Sequence, residues 1–591
     1  MNKNEFSILT LLISRNSSLS QRAISQQTGL SLGTVNSTLN KLRGKEWIDK
    51  DNNVLPAGKE ALYPYKVDNA VIMAAGMSSR FAPLSYEKPK GLLVVKGEVL
   101  IERQIRQLLD AGITDIYVVV GYMKEKFFYL AEKFGVKIVI NEDYYRYNNT
   151  STLMPVVHEL KNTYICSSDN YFTENVFEPY VYQAYYSAVY SDTFTNEYCL
   201  TTDSKGIITK VTIGDGPDVW YMLGHAYFDR AFSEKFREIL VREYAENDKT
   251  KLELWENLYN RYLDVLKLYI RKYPDGVIQE FDSLDELRQF DDKYINNTDS
   301  QIFKNITSVL DCREEDIVNI VPIKSGQINT SFRFEVCGET YVYRHPNKKS
   351  EVFIHRESET AATEIAKKLG LDKTYIKMDP QTGWKISKYL HGCRSLDYHN
   401  DEDVTKALEK IRVLHQSKEK IDYQFDFWKQ TNSLIEIISS NGRSDYSDFD
   451  SLHTLINKVH DMSACDLYEE VLCHCNFYSD NILIDENGEM NIIDWEYSGD
   501  GDPAYDIGTF ISCADYNDEE TDRVIKEYYS GAVNESEIRH MYAAIAISAY
   551  YWFIWAILQE SKERPVGKML YEWYRKAKLY GEKALDMYNS L

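Results

Sequence analysis

Cysteine is scarce in this chain, with nine in 591 residues and no two set as CxxC. That excludes a disulfide-stapled scaffold and points to reduced thiols in a cytoplasm. Cys473-His474-Cys475 is the one dense group of soft ligands. Neighbours on an extended segment point alternately and no second ligand pair follows, so two buried thiols are expected there rather than a metal site. Surplus positive charge is missing too, and a formal charge of −23 excludes a general polyanion binder. Residues 1–65 differ in kind, with eight Lys or Arg against five Asp or Glu. Met1 to Arg15 lacks the basic start, long apolar stretch and small-residue cleavage site of a secretory leader, so a cytoplasmic location is expected. One uncharged run, Met541 to Leu558 (MYAAIAISAYYWFIWAIL), approaches bilayer length. Its aromatics sit mid-segment rather than at the ends, so it reads as a buried core helix and no membrane span is expected.

What is present suffices for several domains, since 44% of the residues are hydrophobic. There is no internal repeat, and three segments follow one another. Residues 5–15 (EFSILTLLISR) have helical apolar spacing, Ser20 caps a second helix that stops at Gly29, and a third runs on from Ser31. The stretch DKDNNVLPAGKEALYPY after it reads as a wing and a closing strand. Residues 1–66 thus resemble the winged-helix DNA-binding domains of bacterial regulators. The resemblance implies DNA as a partner, with Ser31, Thr34, Asn36, Ser37 and Asn40 on or near the groove-facing side of the recognition helix. These residues are neutral and the basic surplus is small, which leaves a regulatory or dimer-contact domain as the alternative.

From Asp68 strands alternate with helices (NAVIMAAG, IERQIRQLLDAG, DIYVVVG, KFFYLAEKFG, KIVIN), which predicts a parallel sheet covered by helices. The first strand runs into AAGMSSRFAPLSYEKPKG. A glycine-containing turn there exposes backbone N–H groups able to cradle a triphosphate, with Arg80 and Lys90 adding charge. Together with Pro83-Leu84 and Lys88-Pro89-Lys90 this resembles the signature of sugar and choline nucleotidyltransferases, whose usual second glycine is Ser78 here. GYMKEKF, NEDYYRYNNTSTL, SSDNYF, TNEY, LWENL and QEFDSLDEL narrow the likeness, over about residues 68–292, to the bacterial CTP:phosphocholine cytidylyltransferases. The resemblance implies CTP and phosphocholine as substrates, Ala74, Ala75, Gly76 and Ser78 around the nucleotide, and Mg2+ held by Asp169 and Asp282. A hard divalent ion on one or two carboxylates suits a leaving pyrophosphate. Choline's quaternary ammonium has no N–H to donate, so aromatic faces and carboxylates must recognise it. Tyr198, Tyr227 and Trp255 occupy aromatic positions of these motifs, although 46 tyrosines would line any pocket in this chain.

A polar linker over 291–300 is expected to end that domain, which spans 67–295. Residues 301–591 carry a strand-rich start and a long helical end. IKSGQINTSF, with Ser325 and Gly326, reads as a loop over ATP phosphates, and YVYRHP sets Arg344 where protein kinases keep a Lys, with Glu359 as its ion-pair partner. GWKISKYLHG has the look of a hinge strand. NIIDWEYSGDGDPAYDIG places Asp494 thirteen residues after Asn481, both at metal-binding positions. The set resembles the bacterial choline kinases of the choline and ethanolamine kinase family over about residues 315–560. It implies ATP and choline as substrates, with Tyr497, Trp552 and Trp555 offering faces to the amine. One position departs. LCHCNFYSDNIL has His474 and Asn481 in place, but Asn476 stands where the catalytic Asp belongs. An Asn can accept a hydrogen bond from the hydroxyl but cannot take its proton, a loss of about 10²- to 10⁴-fold. Asp480 is too close to Asn481 along the chain to substitute. A natural loss, an introduced substitution and a different acceptor geometry all remain open.

The fold class expected is therefore multidomain α/β and α+β: a winged helix, a Rossmann-like nucleotidyltransferase sheet and a kinase-like bilobal fold. The activity expected is CDP-choline synthesis in consecutive steps, with the kinase step impaired. Phosphoethanolamine or aminoethylphosphonate is the alternative head group, and a metabolite-sensing DNA-binding regulator the alternative of another class. A homodimer is compatible with the sequence and not required by it.

Overall fold

The computed structural model describes every residue except 16–18, 324–328, 347–353, 441–445, 563 and 591. Ser325 and Gly326 therefore lie outside the described residues. The chain forms two compact units, Met1–Thr307 with Arg313–Glu315, and Ser308–Cys312 with Asp316–Leu591.

The first unit opens with helices α1 (Lys3–Arg15), α2 (Gln21–Thr28) and α3 (Leu32–Gly44). Ser20 and Ser31 cap the second and third by accepting from Ala23 and Thr34 backbone N–H groups, and Gly29 ends α2 in the left-handed region. Val35, Thr38, Leu39 and Leu42 of α3 recur at helical spacing and bury themselves with Ile8, Leu9, Leu12 and Ile24. A single antiparallel bridge, Ile48 to Val54, makes the wing. The expected closing strand is instead a helix, Pro56–Leu62, with proline at its first turn. Proline there is already set to a helical φ and its missing N–H is no loss, so the turn residues start a helix rather than a strand.

Behind it lies a nine-stranded sheet. In chain order the strands are β1 (Asn69–Ala74), β2 (Ile116–Val120), β3 (Lys137–Ile140), β4 (Thr163–Ser167), β5 (Tyr185–Ser191), β6 (Thr195–Thr202), β7 (Ile208–Asp215), β8 (Val219–Phe228) and β9 (Tyr269–Lys272). Their spatial order is β7-β6-β8-β4-β1-β2-β3, and β5 pairs with both β8 and β9. The expected parallel pairing holds for β4-β1-β2-β3, where Ile72 lies opposite Val118 and Cys166. β4, β1 and β2 are buried in the middle of the sheet, hence their largely apolar runs, while β3 is its half-exposed edge. β6, β7 and β8 add an antiparallel extension, because short turns join them and a parallel crossover needs a dozen residues or more. The expected polar linker is packed rather than free: Tyr294 donates to the Val94 carbonyl, and Glu87 accepts from the backbone of Gln301 and Ile302 at the start of the next helix.

In the second unit an antiparallel sheet runs β10-β11-β12-β14-β13, built from β10 (Val318–Ile323), β11 (Asn329–Val336), β12 (Glu339–Pro346), β13 (Tyr375–Met378) and β14 (Lys385–Lys388). Helix α4 (Arg356–Lys368) follows β12, and a helical lobe forms around α5 (Glu535–Ser561), with α6 (Lys568–Asn589) against it. Among the described residues only α5 is long and apolar enough to cross a membrane, and 89% of its apolar window is buried inside the unit. It is the lobe's core helix, as its central aromatics imply. Gly508 lets the helix Ala504–Cys513 approach it, since a Cβ there would lie 2.8 Å from the Ala544 backbone.

Candidate active sites

Strand β1 ends at a cleft of about 180 Å³ lined by Ala74, Ala75, Gly76, Ser78, Lys90 and Asp169. Ser78 adopts φ +46, the left-handed conformation a glycine would hold more easily. A Cβ built on Gly76 would meet no atom within 4 Å, whereas one on Gly91 would lie 2.7 Å from Ser168 Oγ. The turn thus borders open cleft, and Gly91 brings the Lys90 segment tight against the end of β4. Lys90, 6% exposed, places its ammonium 2.8 Å from Asp169. Burial would raise the Asp169 carboxyl, but Lys90 holds it below the ordinary value. Burial opposes the charge on Lys90, but Asp169, Glu280 and Asp282 raise its pKa. Arg80 pairs with Asp282 at 3.1 Å on the exposed side.

Glu280 escapes the sequence reading and belongs to this cluster. Its side chain is partly open to solvent, yet the protein packed around it, with Asp169 beside it, pushes its carboxyl up to about 7. The signal was its place two residues before Asp282, which on an extended segment faces the same side. Carboxylates of Asp169, Glu280 and Asp282 outnumber the cations Lys90 and Arg80, and hard oxygens in excess fit Mg2+. Glu256 is another carboxylate missed from sequence, and this one is buried. It accepts from Tyr186 Oη at 3.1 Å and Asn149 Nδ2 at 3.3 Å, and burial pushes it up to about 7.

Two of the expected choline ligands do not face the cleft. Tyr227 is 0% exposed, packed among Tyr164 and Tyr185 inside the sheet. Trp255 is 1% exposed, stacked on Tyr186 and edge-on to Phe228 and Phe236. Their faces are taken by core rings, so both are corrected to core residues; their large apolar area outweighed any role at a wet site. Tyr198 stays half-buried, with its hydroxyl on Asn257, and remains a candidate.

In the second unit a cavity of about 1170 Å³ is lined by Arg344, Asn476, Asn481, Asp494, Tyr497, Trp552 and Trp555 among others, so the sequence candidates converge. Arg344 meets Glu359 at 2.5 Å, and Arg356 meets the same carboxylate at 2.9 Å. Burial works against the Glu359 charge, but Arg344 and Lys385 hold the group at about 2. The segment carrying His474 and Asn476 is fixed by Asp506, which accepts from the backbone N–H of His474 and Cys475 and from the His415 ring. Cys473 and Cys475 are buried, with thiols pushed well above their ordinary value, as expected of inert core residues. Asn481 donates its amide to the Asn476 carbonyl at 3.0 Å, which leaves its own carbonyl oxygen to pair with Asp494 around a divalent ion. Tyr497 and Trp552 sit edge to face at 6.1 Å, Trp552 and Trp555 at 5.8 Å. Trp573, on α6, adds a fourth ring 6.0 Å from Trp552. It lies beyond the motifs that carried the resemblance, so sequence gave no signal for it.

Residues 1–49 match the family model of winged helix-turn-helix DNA-binding domains, residues 70–179 that of MobA-like NTP transferase domains, and residues 319–540 that of the phosphotransferase enzyme family. The choline-phosphate cytidylyltransferase of Streptococcus pneumoniae is 33% identical over 223 residues, 38% of this chain and 96% of that protein. The 2-aminoethylphosphonate cytidylyltransferase of Lancefieldella rimae is 34% identical over 231 residues, 38% of this chain and 93% of that protein. A solved choline kinase from Streptococcus pneumoniae is 18% identical, covering 49% of this chain and 98% of that one at a TM-score of 0.40.

Proposed function

The chain belongs, through its nucleotidyltransferase domain, to the bacterial cytidylyltransferases, and on that premise we propose that it transfers CMP from CTP to phosphocholine to give CDP-choline. The observation that carries this is the Lys90–Asp169 pair, with Glu280 and Asp282 beside it, at the mouth of the Gly76–Ser78 turn. A phosphate oxygen of phosphocholine attacks the α-phosphorus of CTP, and the bond to the bridging oxygen breaks as pyrophosphate leaves. That oxygen is already anionic, so the chain's task is to position it and to meet charge with Lys90, Arg80 and the N–H groups after β1. Mg2+ on Asp169, Glu280 and Asp282 would neutralise charge on the triphosphate. The reaction is placed in the cytoplasm, where CTP is.

The head group is assigned from the second unit. An aminoethylphosphonate carries a C–P bond that no alcohol kinase makes, whereas a phosphotransferase fold with four aromatic rings in its cleft suits phosphorylation of a quaternary amino alcohol. That step is slowed by Asn476, about 10²- to 10⁴-fold for a missing base. Phosphorus NMR of the protein with CTP, Mg2+ and either phosphocholine, phosphoethanolamine or 2-aminoethylphosphonate tests the assignment. CDP-choline should form fastest, and faster turnover of the phosphonate would overturn it.

A second reading concerns residues 1–66. Ser31 at the N-cap of α3 and Asn36, Ser37 and Asn40 on it are exposed, Thr34 is half-buried with its hydroxyl on Ser31, and we propose that this set contacts DNA. Sequence-specific binding that weakens with salt supports this; no binding at low salt removes it.

A further inference from the structure

Asn476 is 7% exposed and opens onto the cavity that also holds Asn481 and Asp494. The groups that bind rather than react are all in position around it. Arg344 is locked by the fully buried Glu359, Asp506 fixes the loop from behind, and the rings of Tyr497, Trp552 and Trp555 form one wall. The wall of that cavity also carries the carboxyl groups of Asp480 and Asp494, and that of Glu496, which burial and the neighbouring Asp494 push up to about 8. An aspartate at 476 would add a negative charge to that wall and repel a terminal phosphate; the asparagine amide has the same shape, no charge, and N–H groups that can donate to a phosphate oxygen.

We propose that the second unit is a holding module, which binds Mg2+-ATP and a quaternary amino alcohol together in this cleft, more tightly than a catalytically complete cleft would, and releases them largely unreacted. The inference rests on the phosphotransferase reading of this unit and goes beyond a slowed enzyme, since it assigns the substitution a gain in affinity. Nothing is transferred in the held state.

The test is calorimetric titration of the full chain with Mg2+-ATP, with and without choline, beside N476D, W552A and R344A variants. ADP release and, separately, CMP transfer from CTP to phosphocholine are assayed on the same samples. The expected result is an ATP dissociation constant about tenfold lower for the unsubstituted chain than for N476D. Choline should tighten ATP binding in the unsubstituted chain but not in W552A, R344A should bind neither ligand, and only N476D should release ADP at a substantial rate. Equal affinities, no binding by the unsubstituted chain, or ADP release as fast as in N476D would overturn the proposal. Thermal melts of each variant report the folding of the second unit, and CMP transfer reports the first unit independently, so loss of CMP transfer with binding intact would count against the cytidylyltransferase reading and not against this one.

Discussion

The Lys90 ammonium lies 2.8 Å from the Asp169 carboxylate, and each is the main reason the other keeps its charge. Burial favours the neutral form of both, and the pair opposes it at each end.

Removing one partner therefore does more than delete a contact. Lys90→Met should lower kcat/KM for CMP transfer by about 10²- to 10³-fold, the scale of losing a fixed charge at a developing anion. Steady-state kinetics with CTP varied checks this, and a change below threefold would remove Lys90 from the reacting centre.

Glu280 makes the first site pH-dependent. With its carboxyl raised to about 7, it holds a proton at pH 6 and loses it by pH 8, and a metal must displace that proton. Apparent Mg2+ affinity should rise from pH 6 to 8 in the unsubstituted chain and stay flatter in Glu280→Gln, read from Mg2+ dependence of CMP transfer at each pH. The linkage to folding has the opposite sense. A carboxyl whose folded pKa is raised binds more protons folded than unfolded, so without metal it favours folding at the acid end, and that contribution fades as pH rises towards 7.

His540 in the second unit gives the other kind of pH effect. Its ring lies between Asp466 at 3.1 Å and Asp502 at 2.7 Å; burial works against the charged ring, but the two carboxylates win and its pKa is raised. A histidine raised in the folded state contributes stability fully below its unfolded pKa of about 6.5 and loses it as pH rises through the folded value. Thermal melts from pH 6 to 9 should show the second unit weakening with pH, and His540→Gln should flatten that slope.

The hydroxyl of Tyr227 is buried without a hydrogen-bond partner among the described residues. Tyr227→Phe should leave the KM for phosphocholine unchanged and hold or raise stability by about 1 kcal/mol, since it removes an unsatisfied polar group. A several-fold rise in KM would return Tyr227 to the amine site.

Much of this was legible in local sequence. Capping serines, alternating strand and helix periods, and the short motifs around Gly76, Lys90, Asp169, Asn476 and Asp494 are written within a few residues of one another, because backbone geometry and loop chemistry depend on near neighbours. Even the departure at Asn476 needed no structure, being a single missing carboxylate in a spaced motif. What only the tertiary structure decided was which side chains face the clefts. Tyr227 and Trp255 carry the same aromatic label as Trp552, yet the first two are closed off by neighbouring rings, while the third, although 6% exposed, lines the cavity. Glu280 and Trp573 come to their sites from segments far along the chain, Glu280 beside Asp169 and Trp573 beside Trp552. Burial and charge at such positions are set by packing between distant segments, and a one-dimensional pattern carries no measure of that.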